Sequence, residues 1–553
     1  MSFSVDVLVV GAGPVGLVGA LALAQNGVSV RIVDKEDHFF VGQRGSGIQP
    51  RTQEVYHLLG CLQDYQKKAG TRFAQKAYDT DGNLVQAKDM LEQLSPSPEV
   101  PFPTPISLGQ DSSCAILREH LEKCGVKVEL STELVDLKQD ESGVDVTLMR
   151  NGNEEKLRVK VGSLIVIVLA HSAHSSAGPV RKLVGINFVG ETREERAVIG
   201  DVELSGLDDR LYWHRFRDEK GDRIMLRPVS EDNKLWFMAL SGRTIDLQKA
   251  LDDNEYLHKC LRDITKIPDI EVTKVRSLSE WRLNERVADK FSVGRVFIGG
   301  DAAHVHSPTG GQGLNTGTLD MMNLAWKLAL VVKGLAPPVL LDSYHAERAP
   351  VVREMLNVTH ALADKTFKTN DSSAWNRPVA LRQLGVHYRW SSIVRDELSE
   401  EGGAGEIKST TIEPEDVYGE GSNGRLHAGD RAPDAPGLRD ARTGVETKLF
   451  DIFNPTRHIV LVLDPSLVSE VATAVGKYAG GVVQTIVVGP KGSQDLSVLP
   501  SISAVLVDGE GHAHRAYGAE ADVGIVVVRP DGVVGALLKG ADGVGKYFSN
   551  IFV

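Results

Sequence analysis

The chain has 553 residues, enough for roughly three or four domains, and its hydrophobic share of 42% allows a sizeable core. Its net charge of −12 argues against a general nucleic-acid-binding protein, which would normally carry a basic face. Four widely separated cysteines form no metal-ligand spacing and indicate a reducing compartment. The longest apolar run, Leu164–Ala170, is too short to cross a membrane, and because the chain enters a strand at once we expect no leader peptide. We therefore expect a cytoplasmic protein that contacts neither membrane nor nucleic acid.

The chain opens with a dinucleotide-binding fingerprint. A short apolar strand leads into a turn with glycines at Gly11, Gly13 and Gly16, a helix follows, and a second strand ends at Asp34. Gly11 allows the tight turn, Gly13 lets a pyrophosphate approach the backbone, and Gly16 allows close packing of helix and strand. Asp34 is placed to accept hydrogen bonds from ribose hydroxyls. The pattern predicts binding of an ADP moiety but does not distinguish FAD from NAD.

Two later loops carry residues with more than one interpretation. Arg44 lies in a glycine-flanked loop, where it could reach a flavin, a phosphate or a substrate, or remain a solvated surface arginine. His171 and His174 follow a buried strand and could be metal ligands. A serine-rich loop without a nearby carboxylate or cysteine favours ordinary loop residues, so we predict no metal site.

The middle of the chain has the pattern of a mainly antiparallel sheet inserted into the dinucleotide-binding domain. Its predicted strands are Val198–Leu204, Leu211–Phe216, Arg223–Val229 and Leu235–Leu240. Several large apolar side chains on these strands form either the wall of an apolar ligand site or ordinary sheet core: Trp213, Met225, Trp236 and Phe237.

A second cofactor-binding pattern follows the middle sheet. The buried strand Val296–Ile298 is followed by two glycines and Asp301, then by the turn-rich segment Ser307–Gly313 and a helix. A carboxylate and the N-terminus of a helix would flank one crevice, where the helix dipole favours an anion or an electron-rich ring. The alternative is an ordinary strand–loop–helix connection.

The sequence pattern of the last part of the chain predicts a separate α/β unit. Mostly helical sequence is followed by an acidic, glycine-rich linker, Glu400–Gly424, and then by alternating strands and helices from His427 onward. Gly540–Gly545 superficially suggests a phosphate-binding loop, but we predict a turn because the chain ends soon afterwards.

Five motifs together resemble one family: GAGPVG with Asp34, GQRGSGIQPRTQE, GRVFIGGDAAHVHSPTGGQGLNTG, HAGDRAPDAPGL and VRPDGVVGA. The chain is similar to the flavin-dependent aromatic hydroxylases of the para-hydroxybenzoate hydroxylase fold, and most to the phenol hydroxylase branch. The resemblance implies a Rossmann-like α/β FAD-binding domain in two parts, an inserted antiparallel substrate-binding sheet and a thioredoxin-like C-terminal domain. The implied ranges are 1–190 and 286–400 for the FAD-binding parts, 191–285 for the sheet, 401–426 for a linker and 427–553 for the last domain.

The resemblance also implies the site residues. Cofactor contacts are expected from Gly11, Gly13, Pro14, Gly16, Asp34, Lys35, Arg44, Gln110, Arg118, Asp301, Pro308, Gly311, Gly313, Leu314 and Asn315. In the family an Asp-Gly pair linked to both FAD and NAD(P)H falls here on His174-Ser175, and a glutamate usually found after Gln110 falls on Cys114. The first departure puts efficient use of the nicotinamide in doubt. The C-terminal domain has no cysteine and is expected to be structural or to form an oligomer contact, such as a homodimer.

The implied activity is that of an FAD-dependent monooxygenase. NAD(P)H would reduce FAD transiently, O₂ would give a flavin C4a-hydroperoxide, and oxygen would pass to a phenolic or polyketide-like aromatic substrate. Arg44, Pro308, Tyr212 and His214 are the candidate catalytic residues, the last two as groups that could deprotonate or hydrogen-bond a phenol. The alternatives are a Baeyer–Villiger oxygenase, an oxidase or isomerase with little use of nicotinamide, and a descendant that binds a ligand without turnover.

Overall fold

The structure, a computed structural model, describes residues 5–43, 45–141, 143–160, 166–168, 179–230, 232–308, 310–367, 378–398, 416–419, 424–478, 481–493, 499–518 and 522–553. Its helices are Pro14–Gln25, Pro50–Leu58, Leu62–Gln66, Gln110–Lys123, Pro179–Leu183, Leu247–Asp252, Asn254–Thr265, Gly313–Val332, Asp342–Phe367, Leu449–Ile452, Val468–Val475, His512–Ala516 and Ala541–Phe548. Within these ranges no helix combines the length and the apolar character needed to cross a membrane.

The first sheet has six strands and carries the dinucleotide-type turn. Apart from the antiparallel edge strand Ser292–Val293, neighbouring strands are parallel, which is the arrangement expected for buried, apolar strands covered by helices. The strand order is Ser292–Val293, Val296–Ile298, Val166–Val168, Val7–Val10, Val30–Val33 and Val128–Glu129. The turns at Gly11 and Asp301 follow two strands separated by only one other, so both lie at the carboxyl edge where α/β sheets bind ligands.

The second sheet is the mainly antiparallel sheet predicted for the middle of the chain. Its order is His304–Val305, Glu271–Ala288, Phe188–Ser205, Leu235–Ser241, Arg223–Pro228, Trp213–Arg217, Ala74–Tyr78 and Leu84–Asp89. Among its described strands, only Trp213–Arg217 and Ala74–Tyr78 pair in parallel. The predicted four strands are present with shifted ends, whereas Glu271–Ala288, Ala74–Tyr78 and Leu84–Asp89 were not predicted. Helices Leu247–Asp252 and Asn254–Thr265 lie against one face of the sheet and share its apolar core.

Two smaller sheets complete the N-terminal half. Three antiparallel strands, Thr132–Asp140, Gly143–Arg150 and Asn153–Lys160, form one of them. The short strands Gly47–Ile48 and Ile106–Ser107 form the other and anchor the loop that precedes the helix at Pro50.

The C-terminal part forms a third large sheet. Its eight strands follow the order Arg395–Asp396, Val534–Leu538, Ile525–Val528, His458–Val462, Val483–Pro490, Ala504–Asp508, Leu438–Asp440 and Glu446–Thr447. The predicted hairpin through Pro530-Asp531-Gly532 is confirmed. The predicted turn at Gly540–Gly545 is wrong: Gly540 is the N-cap of helix Ala541–Phe548, whose Val544, Tyr547 and Phe548 are buried at helical spacing. A thioredoxin-like fold for this part stays a prediction.

A buried ionic network joins this last sheet to the helices behind the first sheet. Arg529 donates to Glu347 at 2.8 Å and to Asp531 at 2.6 Å, and Lys327 donates to Glu347 at 2.8 Å. The side chains of Arg529, Glu347 and Lys327 are fully buried, and such charges are tolerated only when paired. Because Lys327 lies on helix Gly313–Val332, the C-terminal part contacts the helix whose N-terminus reaches the cleft described next.

Candidate active site

The first wall of the candidate site is the glycine turn after strand Val7–Val10. Gly11 has φ +106°, a conformation that favours glycine, and its N–H donates to the carbonyl of Val33 at 2.8 Å. Gly13 is the N-cap of helix Pro14–Gln25, and among the described residues no side chain caps that helix. Its first N–H groups therefore remain available to a phosphate. Gly13, Pro14 and Val15 line the cleft, whereas Gly16 is buried in the helix.

Asp34 holds this turn in place. Its Oδ2 accepts a 2.7 Å hydrogen bond from the N–H of Ala12, and its Oδ1 accepts from the N–H of Glu36 at 3.1 Å. The carboxylate is buried and lies outside the cleft lining, as does the half-exposed Lys35. The structure thus gives Asp34 a role in shaping the turn, and ribose contact by either residue stays a prediction.

The second wall is the turn around Asp301. Gly300, with φ +54°, and Asp301 belong to a 3₁₀ turn that starts two residues after strand Val296–Ile298. Asp301 lines the same cleft as Gly13 and Pro14. Helices Pro14–Gln25 and Gly313–Val332 pack closely against each other here, since a Cβ atom on Gly317 would lie only 2.5 Å from Cγ2 of Val15. This packing brings the two turns together. The two glycine-rich turns, separated by almost 300 residues in the chain, therefore face one cavity.

The N-terminus of helix Gly313–Val332 forms the floor of this cavity. Its N-cap, Gln312, provides no side-chain cap within the described ranges, and Pro308, Gly311, Gly313 and Leu314 line the cavity. Gly311 has φ +63°, and its N–H donates to the carbonyl of Pro308 at 3.0 Å. The exposed N–H groups and the helix dipole favour negative charge at this position.

Asn315 does not line the cavity, although it was predicted to contact the cofactor. Its side chain is fully buried and makes three hydrogen bonds to backbone groups. Nδ2 donates to the carbonyls of Gly47 at 2.9 Å and Gly311 at 2.7 Å, and Oδ1 accepts from the N–H of Gln49 at 2.8 Å. Asn315 therefore links the loop at residues 45–49 to the turn at the helix N-terminus.

His306 is a cavity residue that the sequence pattern did not single out. Its Nδ1 lies 2.6 Å from the carbonyl oxygen of Ser307. Since a carbonyl can only accept, Nδ1 carries the proton and Nε2 is an acceptor. Burial and the neighbouring His304 lower the pKa of His306 to about 4, so the ring is neutral. Nε2 lies 3.1 Å from where a Cβ on Gly313 would stand, which places a neutral acceptor beside the helix N-terminus.

Gln110 and Arg118 lie on the same helix but at different distances from the cavity. Gln110, the first residue of helix Gln110–Lys123, lines the cavity. Arg118 lies outside the lining, and its guanidinium stacks on the ring of Phe39 at 3.8 Å from the centroid. Cys114, one of the departures from the family pattern, is buried, and burial raises the pKa of its thiol to about 12, so it is not a reactive group.

The cavity extends from these turns to the second sheet. Its volume is about 790 Å³, and Trp213, Met225 and Phe237 form an aromatic and apolar surface on the sheet side. Trp236, predicted with them, is instead buried in the core behind the sheet. Because side chains alternate along a strand, adjacent residues 236 and 237 face opposite sides.

The same alternation separates Tyr212 and His214 from the cavity. Trp213 lines the cavity while His214 is buried behind it, with Nδ1 2.9 Å from the hydroxyl of Tyr78 and Nε2 2.7 Å from the carbonyl oxygen of Asp209. Tyr212 also lies outside the lining, beneath the cations of Arg72 and Lys76. The structure does not bring either predicted catalytic residue to the cavity. Arg44, His171, His174 and Ser175 lie outside the described residues.

Comparison with known proteins identifies the family of the chain and the cofactor of that family. Residues 4–359 match the model of the FAD-binding domain family. The chain belongs to this family. It is 34% identical over 461 residues to a flavin-dependent monooxygenase of Mycobacteroides abscessus, covering 82% of this chain and 88% of that protein. It is 29% identical to pentachlorophenol 4-monooxygenase of Sphingobium chlorophenolicum, covering 96% and 93%. The protein is thus an FAD-dependent monooxygenase of the class A aromatic hydroxylase type.

Solved structures share the fold over the whole length. Aklavinone-11 hydroxylase with FAD and aklavinone superposes with a TM-score of 0.76 at 22% identity, covering all of this chain and 99% of that one. The flavin-dependent monooxygenase PieE with FAD and substrate gives 0.75 at 22% identity, covering 99% and 98%. The residues present fit FAD, because two uncapped helix N-termini and the carboxylate of Asp301 border one elongated cleft.

Proposed function

We propose that the enzyme hydroxylates a phenolic or polyketide-like aromatic compound, using FAD, NAD(P)H and O₂. The observation that carries this proposal is the aromatic and apolar surface of Trp213, Met225 and Phe237, which belongs to the same cavity as the turn at Pro308–Gly313. A volume of about 790 Å³ is within the range of pockets that enclose drug-sized ligands. Relatives that act on a chlorinated phenol and a neighbour that binds aklavinone support the substrate class.

The residues of this chain would hold and orient the reactants. The N–H groups of Gly13, Val15 and Gly16 would bind the pyrophosphate of FAD, and Asp301 would accept hydrogen bonds from the ribityl hydroxyls. When bound, FAD supplies the capacity to take a hydride from NAD(P)H and to activate O₂ for transfer of one oxygen atom. The N-terminus of helix Gly313–Val332 would stabilise negative charge on the bound flavin. His306 beside this helix end is neutral and adds no positive charge of its own.

The apolar patch formed by Trp213, Met225 and Phe237 would exclude water locally and set the position of the aromatic ring of the substrate. We assign no general acid or base, since neither Tyr212 nor His214 lines the cavity. A homodimer and a cytoplasmic location stay predictions.

The proposal is tested with the FAD-loaded enzyme, NADPH and a panel of single-ring and multi-ring phenols. Compounds that accelerate NADPH oxidation are then turned over under ¹⁸O₂ and the products analysed by mass spectrometry. The proposal expects one ¹⁸O atom in a new hydroxyl on an intact ring. A labelled lactone would support Baeyer–Villiger chemistry instead. Oxygen consumption without NADPH, or unlabelled product with all reducing equivalents released as hydrogen peroxide, would support an oxidase.

A further inference from the structure

The sheet side of the cavity is unusually rich in arginine for a chain with net charge −12. Among the described residues, six arginines of this sheet line the cavity, and Arg382 from the 3₁₀ turn Val379–Arg382 joins them: Arg196, Arg215, Arg217, Arg223, Arg227 and Arg282. Of the carboxylate side chains in the described ranges, two line the cavity. Asp301 lies at the cofactor end, and Asp79 accepts hydrogen bonds from the N–H groups of Asp81 and Asn83 in its own turn.

Two of these arginines stand directly opposite each other on neighbouring strands. Arg217, at the end of strand Trp213–Arg217, is the Cα partner of Arg223, the first residue of strand Arg223–Pro228. Side chains at such positions have Cβ atoms about 4.5–5.5 Å apart, and like charges there repel. Burial and the charge of Arg217 together lower the pKa of Arg223.

In the described part of the chain no carboxylate pairs with either guanidinium. Arg223 donates to the carbonyl oxygen of Thr366 at 3.1 Å, a neutral acceptor. Other arginines of the same sheet are paired, since Arg196 and Arg282 share the carboxylate of Glu280. Buried Arg382 donates to a carbonyl, that of Glu92, and within the described ranges no carboxylate pairs with it, so it adds to the positive charge of the lining.

The pair lies at the end of the cavity away from the cofactor turns. Arg227, four residues beyond Arg223 on the same strand, donates to the carbonyl of Gln43 in the loop that borders the cofactor cleft. A strand rises about 3.4 Å per residue, so Arg223 is about 14 Å farther along the sheet. On the cavity face, Met225 lies between the two ends, and Trp213 lies beside Arg227, whose guanidinium is 5.5 Å from the centroid of the Trp213 ring.

We propose that the aromatic substrate is an organic acid, and that Arg217 and Arg223 bind its carboxylate at the distal end of the cavity while its ring packs on Trp213 and Met225. Two guanidiniums can each donate two N–H groups to a carboxylate, so an anion between them would relieve their repulsion and fix the orientation of the ring. This inference rests on the proposed hydroxylase function and specifies its substrate class.

The test uses the FAD-loaded enzyme and a matched ligand pair, anthraquinone-2-carboxylate and anthraquinone-2-carboxamide. Binding is followed by the change in the visible spectrum of the bound flavin. The wild type should bind the acid about tenfold or more tightly than the amide, as expected for one charge-assisted interaction. Arg217→Gln and Arg223→Gln should each reduce this preference, and the double variant should abolish it. Arg223→Lys, which keeps the charge, should retain part of it.

Arg243→Gln is the matched control, because Arg243 is exposed just beyond strand Leu235–Ser241 of the same sheet and does not line the cavity. FAD content and the unfolding midpoint should be unchanged in each variant that is compared.

Equal binding of acid and amide by the wild type, or a preference that survives in the double variant, would overturn the inference. So would a loss of NADPH affinity in the arginine variants with an unchanged acid preference, since the pair would then serve the nicotinamide phosphates. An enzyme that binds FAD and is reduced by NADPH but shows no acid preference contradicts only this inference, whereas failure to bind FAD contradicts the proposed function.

Discussion

The side-chain amide of Asn315 donates a 2.9 Å hydrogen bond to the carbonyl of Gly47, and this bond connects two loops that both border the cofactor cleft. The same amide donates to Gly311, so one buried side chain positions the turn at the helix N-terminus against the loop at residues 45–49. The geometry of the cleft thus depends on a residue that does not face it.

Replacement of Asn315 by alanine should loosen both loops. Three hydrogen bonds to backbone groups would be lost, at a cost of roughly 1–3 kcal/mol. We expect a lower unfolding midpoint and roughly tenfold weaker FAD binding, measured by fluorescence titration of the apoprotein. Asn357→Ala removes an exposed asparagine of helix Asp342–Phe367 and should change neither quantity. Unaltered FAD affinity in Asn315→Ala would show that the link is dispensable.

Asp301→Asn tests the second turn directly. The amide keeps the shape of the side chain but removes the charge that would accept hydrogen bonds from ribityl hydroxyls. Charged hydrogen bonds contribute about 1.5–3 kcal/mol, so the FAD dissociation constant should rise roughly tenfold or more. Asp208→Asn, at an exposed position outside the cavity lining, is the control. If both variants bind FAD as the wild type does, Asp301 does not hold the cofactor.

Asp201 should make stability depend on pH. This buried residue of strand Phe188–Ser205 lies beneath the loop at Gly42, and burial raises the pKa of its carboxyl to about 6 despite the nearby Arg227. The folded state therefore holds the proton more tightly than the unfolded state, whose pKa is near 3.8, and stability is lost as pH rises through the window between these values.

Asp201→Asn should accordingly raise the unfolding midpoint, and more at pH 7.5 than at pH 5. The gain is at most about 3 kcal/mol, since each pKa unit corresponds to about 1.4 kcal/mol. Thermal unfolding of the FAD-loaded enzyme at both pH values checks this. The exposed Asp263→Asn should show no such difference. A gain of equal size at both pH values would mean that the carboxyl is not titrating in this range.

His174-Ser175 should limit the reaction with NAD(P)H. A histidine and a serine replace an acceptor carboxylate and a glycine of the family pattern, and serine lacks glycine's freedom at positive φ. We expect slow flavin reduction, and a gain of roughly ten- to a hundredfold on changing His174→Asp together with Ser175→Gly. Stopped-flow reduction under anaerobic conditions measures it. Fast flavin reduction in the wild type, with no gain in the double variant, would show that His174-Ser175 does not limit the reaction with NAD(P)H.

The spacing of residues in short sequence motifs predicted both glycine-rich turns of the site. Features that depend on the pairing of distant strands could not be predicted in this way. The turn at Gly11 and the turn at Asp301 each follow an adjacent apolar strand, so both could be placed from short stretches of sequence. Strand Glu271–Ala288 was missed because it is rich in charged residues, and its ladder forms with Phe188–Ser205.

The catalytic candidates show a second limit of sequence reasoning. Trp213 and His214 are neighbours, and which of them faces the cavity depends on the register of the strand in the folded sheet. The role of Asn315 as a link, and the cavity position of His306, likewise arise from contacts between segments that no local pattern reveals.

The visible spectrum of the purified enzyme, recorded before and after anaerobic mixing with NADPH, shows whether the chain binds FAD and whether NADPH reduces it. We expect one FAD per chain, with flavin bands that NADPH bleaches and that return when O₂ is admitted. A colourless protein that cannot be loaded with FAD, or bound FAD that neither NADPH nor NADH reduces, would contradict this expectation.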